Sequence, residues 1–365
     1  MSQSVATFPT SFKAKMASAS ESFDRRAAHR LDSLSAVQQN LLQGIVHKDA
    51  SESIWFARQL EYIRPGVMDV IYPQLEGKSF VPIDSAVGAG VSNVTYRVMN
   101  KVGTAALVED YSMDPPRADV FGSEFTQTIK PYGVMYGYNF QELQAAMFAG
   151  LALDTKKAMS ARYAMELKID QIIWYGDVAA GLTGLATQDS TLIVAASRAL
   201  AFTVANGVKG TKLWRDKTPD EIVLDLHTFV NNIVNTSAGV YAPQTLILPL
   251  QAYSMINTRR MGDGSNDTIL TFFKNTSQYI TEVRSSYRLN SAQSANWSGS
   301  TGRCIAYDKS PERFTFILPV EFEQLAPQQV GYEYKTFCHA RIGGIQNFHP
   351  QALSYMDSVV DNLDQ

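Results

Sequence analysis

Residues 154–175 read DTKKAMSARYAMELKIDQIIWY, and residues 176–185 follow at once as GDVAAGLTGL. The first segment predicts one long amphipathic helix. Asp154 and Thr155 supply oxygens for the free N–H groups of a first turn. Ala, Met, Leu, Lys, Glu and Gln, all good helix formers, dominate its body. Ala158, Ala161, Met165, Ile169 and Ile172 recur at intervals of three and four, and Tyr163, Leu167 and Trp174 widen that apolar stripe. Arg162, Glu166 and Asp170 stand four apart, which lets Arg162 pair with Glu166 on the exposed face. Gly176 ends the helix, because glycine enters the left-handed cap conformation without strain. A helix of this length with no reactive motif on either side reads as a strut.

Composition narrows the class. A chain of 365 residues suits one large domain or two modest ones. Its hydrophobic content of 45% is globular, while 18% charged residues is low against a typical quarter, as suits a surface largely covered by partners. The net charge of −3 offers no strong basic attraction for nucleic acid. Cys304 and Cys338 are too few for a disulfide framework and lack metal spacing, so folding in a reducing compartment is expected. No apolar run approaches the roughly 20 residues of a membrane span. Residues 1–22 are Ser/Ala-rich and lack the continuous apolar centre of a signal peptide.

Upstream of the long helix, residues 24–44 predict a helix with Leu31, Leu34, Leu41 and Ile45 near heptad spacing, too short for a sustained coiled coil. A second apolar segment, 53–62, ends at the turn signal Arg64-Pro65-Gly66. Between residues 80 and 138 the texture becomes β. Residues 94–99 alternate, 105–108 follow, the prolines at 115 and 116 forbid helix, and 121–130 and 132–138 are rich in aromatic and β-branched residues. This excursion needs shelter, because a two-stranded ribbon alone is marginal in water. Downstream, Thr218-Pro219-Asp220-Glu221 starts a helix to about Val234. A buried strand is expected at 245–249, short helices at 250–257 and 268–274, and strands at 303–307 and 314–318. Residues 261–267 and 290–302 read as flexible loops, and 332–345 as the longest late strand.

The chemical motifs are weak. His29, His47, His227, His339 and His349 are scattered; Cys338 and His339 adjoin, but neighbours on a strand point to opposite faces. Residues 88–93, GAGVSN, lack the third glycine and following helix of a phosphate loop. Residues 263–267 alternate oxygen ligands but lack the glycine and glutamate of a calcium loop. Glu321 and Glu323 share one strand face, which suits a solvated edge. Phe125, Tyr132, Tyr136, Tyr138 and Phe140 lack interleaved Lys or Arg and suit core or interface better than base stacking. The expectation is therefore no enzyme, with no catalytic, cofactor-binding or metal residues and no cofactor.

The order of elements resembles the major capsid protein of tailed bacteriophages, with the α+β fold named after phage Hong Kong 97 and shared with encapsulins. Three segments carry the resemblance: residues 173–185, similar to the end of the spine helix and its glycine loop; residues 94–129, similar to the extended loop; and residues 334–353, where Arg341-Ile342-Gly343-Gly344-Ile345 and Pro350-Gln351-Ala352-Leu353 resemble the terminal strand and tail of the peripheral domain. The resemblance implies an N-terminal arm over 1–75, an extended β loop over 76–135, a peripheral domain with the spine helix over 136–185, an axial α/β domain over 186–309 and a return to the peripheral domain over 310–365. It also implies self-assembly into pentamers and hexamers of an icosahedral shell enclosing double-stranded DNA. Portal, scaffolding and decoration proteins are the implied partners, contact with DNA is weak and non-specific, and no membrane is involved. The protein is then made in the host bacterial cytoplasm and ends in the virion. No cleaved scaffolding segment is expected at the short arm, and no Lys–Asn crosslink residues are assigned. The alternatives are an encapsulin-like compartment shell and an α/β enzyme with its pocket in the central insert.

Overall fold

The computed structural model describes residues 72–107, 116–148, 153–190, 193, 198–262, 264, 266–297 and 301–361. The helical stretches expected at 24–44 and 53–62, and the arm as a whole, lie outside them except for the last residues of 1–75. The described chain opens with a short helix α1 (Gly77–Phe80) and strand β1 (Ile83–Asp84). Strands β2 (Asn93–Val102) and β3 (Asp119–Thr128) then pair antiparallel at all ten positions, from Asn93 opposite Thr128 to Val102 opposite Asp119. The alternation at 94–99 therefore builds a two-stranded ribbon. Residues 105–107, expected to continue the β texture, form no strand.

After Ile129 alone, β4 (Lys130–Asn139) begins, so the expected boundary at 135/136 falls inside a strand. One residue is too short for a hairpin turn, and β4 runs on into another sheet. Helices α2 (Phe140–Phe148) and α3 (Leu153–Tyr175) follow. Helix α3 ends at Gly176, whose φ of +74° is the left-handed cap the sequence called for. Its apolar stripe is buried as expected through Ala161, Met165, Ile169 and Ile172. That stripe faces mainly β4, with a lesser contact on the late strand. Arg162 pairs with Glu166 at 2.9 Å on the exposed face. Asp170 departs from that row, being only 2% exposed.

Beyond the cap, β5 (Gly176–Asp177) and β6 (Leu182–Thr183) form a tiny antiparallel pair that shapes the glycine loop. Strand β7 (Leu200–Phe202) leads to α4 (Pro219–Thr236). Helix α4 is capped by Thr218, whose hydroxyl accepts from the Glu221 N–H while the Glu221 carboxylate accepts from the Thr218 N–H at 2.7 Å. Strand β8 (Thr245–Pro249), helices α5 (Leu250–Thr258) and α6 (Ile269–Thr276), and strands β9 (Glu282–Ser286) and β10 (Arg303–Tyr307) complete the insert. Residues 290–297 are not a free loop. A short 3-10 turn spans Ser291–Asn296, and Trp297 is buried in the core beside Tyr175.

The final segment contains β11 (Phe314–Ile317), β12 (Val320–Gln324), β13 (Gln328–Val330), β14 (Glu333–Ile342), β15 (Gly344–Asn347) and β16 (Leu353–Asp357). The single late strand expected over 332–345 is thus two. Gly344, at φ +72°, breaks it, and the halves enter different sheets. β14 pairs with β4 along ten positions and also with β12 and β13, forming the sheet under α3. β15 pairs with β11 and through it with β1. β16 returns to the insert, whose sheet runs β7-β16-β10-β8-β9 with mixed directions. Two main cores result. One gathers α1, α3, the glycine loop and the late strands; the other gathers α4, α5, α6 and one face of the insert sheet.

Candidate assembly surfaces

The residues that could have carried chemistry are dispersed. Cys338 is buried beside Tyr136 and Ala161, while His339 on the opposite face meets Glu323 at 3.4 Å. His227 lies against Phe273 with ring centroids 5.1 Å apart, and His349 contacts the Tyr241 hydroxyl through Nδ1 at 3.1 Å. Glu321 is held by Lys78. Residues 88–91 make a turn closed by the Val91 N–H on the Gly88 carbonyl at 3.1 Å, and the Arg341 guanidinium donates to the Ala89 and Val91 carbonyls. In the loop at 261–267, the Met261 N–H bonds the Asp267 carbonyl at 3.1 Å; residues 263 and 265 lie outside the described residues. Among the described residues no three His, Cys, Asp or Glu side chains gather as a metal site, and no helix is long and apolar enough to cross a membrane.

The aromatics take separate structural posts. Phe125 stacks on Tyr96, Tyr138 stacks on Tyr334, and the Tyr136 hydroxyl accepts from Gln324 at 2.8 Å. Tyr132 donates to Asp177 at 3.0 Å, and Lys168 donates to the same carboxylate oxygen at 3.0 Å. Burial raises the Asp177 carboxyl, but these two hydrogen bonds and the Lys168 charge outweigh it and hold the group below the ordinary carboxylate range. Asp177 thereby ties the glycine loop to α3 and β4. A second tie joins that loop to the insert sheet. Arg303, 4% exposed at its side chain, bonds Asp357 at 2.8 Å, Asp189 at 2.9 Å and the Ala186 carbonyl at 2.7 Å. Sequence reasoning missed both ties, because Tyr132 lies 45 positions from Asp177 and Arg303 lies 114 from Asp189.

Among the described residues, little covers the ribbon beyond its root. One face pairs Thr95 with Thr126 at 2.9 Å and Arg97 with Glu124 at 2.7 Å, and nearer the tip carries the exposed Met99 and Val120. The other face seats Tyr96, Phe125 and Gln127 against the body at the root, then continues outward past Val98 to Phe121 and Val102. Phe121 is 61% exposed and Val102 50%. Further exposed apolar side chains, Met147, Phe148 and Met159, lie on α2 and the start of α3. Large apolar groups concentrated on an extended ribbon point to a protein contact.

The family model described as major capsid protein matches residues 103–359. Among solved structures the chain is similar to the capsid of Myoviridae phage XM1, with 13% identity, a TM-score of 0.70, and coverage of 83% of this chain and 98% of that one. It is similar to a structure from Mycobacterium phage Ogopogo, with 12% identity, a TM-score of 0.55, and coverage of 82% and 97%. The capsid of a native GTA particle gives 10% identity, a TM-score of 0.56, and coverage of 82% and 95%. At such identities the likeness is one of fold. No curated protein sequence matches the chain.

Proposed function

Since the chain belongs to the major capsid protein family, we propose that its copies associate as pentamers and hexamers of an icosahedral phage shell around double-stranded DNA. Self-association and a place in the virion capsid come with the family. The division of labour within the chain is our reading. Residues 1–75 act as an arm, 76–135 as the extended loop running into β4, 136–185 with 310–365 as the peripheral domain except for β16, and 186–309, joined by β16, as the axial domain. Its role is structural rather than catalytic. Portal, scaffolding and decoration proteins would meet the finished surface. With a net charge of −3 the inner wall would hold DNA only weakly and without sequence preference.

The observation that carries this reading is the ribbon. Ten paired positions with no covering element beyond the root among the described residues would be marginal alone. Phe121 and Val102 gain burial when the ribbon lies on a second copy, and a patch on one copy meeting a different patch on the next is the head-to-tail geometry that closes into rings. A compartment shell or an enzyme built around the insert fits the family less well.

The test is electron microscopy of the purified protein beside Phe121→Asp. The expected result is closed shells from the parent chain and soluble, folded, unassembled subunits from the variant. Shells of normal yield from Phe121→Asp would show that the ribbon makes no essential contact.

A further inference from the structure

Among the described residues, few groups fasten the ribbon to its own subunit. The Tyr96 hydroxyl donates to the Asn347 carbonyl at 3.0 Å. The Gln127 amide donates to the Gly343 carbonyl at 2.5 Å and to the Ile345 carbonyl at 3.2 Å. Tyr96 also sets its ring edge-on to Phe348, with centroids 4.9 Å apart. All three acceptors are backbone oxygens, Gly343 and Ile345 at the bend around Gly344 and Asn347 at the end of β15. That bend is itself fixed, because β15 is paired along β11. Just before the ribbon, Arg341 holds the entering chain by the Ala89 and Val91 carbonyls, and the Ile129 N–H bonds the Ser92 carbonyl at 2.8 Å across the last rung. Entry and exit are pinned together, so the ribbon can turn about its root as one body.

Beside those fastenings, among the described residues, lies a cleft of about 320 Å³ that opens to solvent. Tyr96, Phe125 and Gln127 line it from the ribbon; Thr183, Gln188 and Asn347 line it from the body. Protein cores are close-packed, so a movement that enters a void displaces no packed side chain, whereas one that enters a core must. The direction in which this ribbon can swing is therefore the direction of the cleft. What resists the swing on the ribbon's own side chains is the hydrogen bonding of Tyr96 and Gln127 with the Tyr96–Phe348 ring contact, the hydrogen bonds each modest in net strength because water competes for the same groups.

We propose that Tyr96 and Gln127 are positioning residues that set the angle of the ribbon, and that the adjoining cleft leaves it room to pivot. The pair thereby determines how one copy is inclined to the next. The inference rests on the shell reading above and adds to it the residues that govern shell curvature. Small changes of angle at a root are magnified along a ten-residue lever. Strand residues advance by roughly 3.3 Å each, so the ribbon reaches about 30 Å from its hinge.

The experiment compares the parent chain with Tyr96→Phe and Gln127→Leu. Tyr96→Phe keeps both ring contacts and removes only the hydroxyl, so it guards against loss of folding. Subunit melting temperature and the diameters of assembled particles are measured together. The expected result is a melting shift no larger than roughly 2–4 °C, with a diameter distribution several-fold broader or displaced, and open or tubular forms among the particles. Both variants giving shells of the parental diameter and spread would overturn the clasp, as would a loss of melting temperature with no change in particle size. A parent chain that forms no closed particle would remove the shell reading itself, and the clasp with it.

Discussion

Asp170 on helix α3 and Arg288, 118 positions later in the chain, meet at 2.7 Å. The other carboxylate oxygen of Asp170 accepts from the Gly77 N–H at 2.8 Å, and Tyr175, one and a half turns along the helix, donates to the Arg288 carbonyl at 2.7 Å. One buried carboxylate thus holds the long helix, the segment entering the described fold and the turn after β9.

Replacing Asp170 should uncouple them. Asp170→Leu leaves the Arg288 guanidinium and the Gly77 N–H without their acceptor. The loss expected for breaking such a pair is roughly 3 kcal/mol of subunit stability. Asp170→Asn keeps an oxygen for Gly77 and should cost less. Urea unfolding of unassembled subunits distinguishes them; equal losses, or losses below about 1 kcal/mol, would mean the carboxylate is not the joint.

Gly176 is required by its conformation and by space. Its φ is +74°, and a Cβ there would overlap the Leu182 carbonyl oxygen. Gly176→Ala should cost more than about 2 kcal/mol, since the left-handed conformation alone costs 1–2 for a residue with a Cβ. Val178→Ala, on the exposed part of the same loop, is the neutral control. Thermal melting that ranks the two alike would refute the assignment.

His349 gives the fold a pH dependence of defined sign. Burial first, and then the Arg313 charge, lower its pKa from the ordinary value near 6.5, with Glu312 opposing. The folded state then binds fewer protons than the unfolded chain below that pH, so the contribution is fully present above about 6.5 and is lost as pH falls from there through the lowered folded pKa. His227, lowered by burial, contributes with the same sign. Melting temperature should fall between pH 7.5 and 5.5, and His349→Gln should flatten part of that slope. An unchanged slope in the variant would count against this role for His349.

Much of the architecture was legible because it depends on local periodicity. The helix at 154–175, its glycine stop, the capped helix from Pro219 and the buried strands at 245–249 and 303–307 all follow from patterns within one element. The late strand was misread as continuous because its β-prone composition runs across Gly343 and Gly344, where the backbone turns into a different sheet. Strands β9 and β16 were not singled out, since Glu, Arg and Ser interrupt their apolar alternation while the sheet supplies their partners. Asp170 looked like one more exposed helix charge, because its partners Gly77 and Arg288 lie far away in sequence. The root of the ribbon was hidden for the same reason: Tyr96 and Gln127 read as ordinary strand residues until the bend at Gly344 is brought beside them.

The uncovered ribbon also bears on how a growing assembly knows when it is finished. If copies join head to tail with each ribbon on its neighbour, as proposed above, every ribbon in an open row finds a bed except the one at the end, which keeps Phe121 and Val102 in water. Adding a copy merely passes that vacancy along the row. Only the copy that closes the circle removes it, so the last contact brings more stabilisation than any before it. Fragments are then the least favoured species in solution, and a population of subunits should divide sharply between the free and the completed, with little in between.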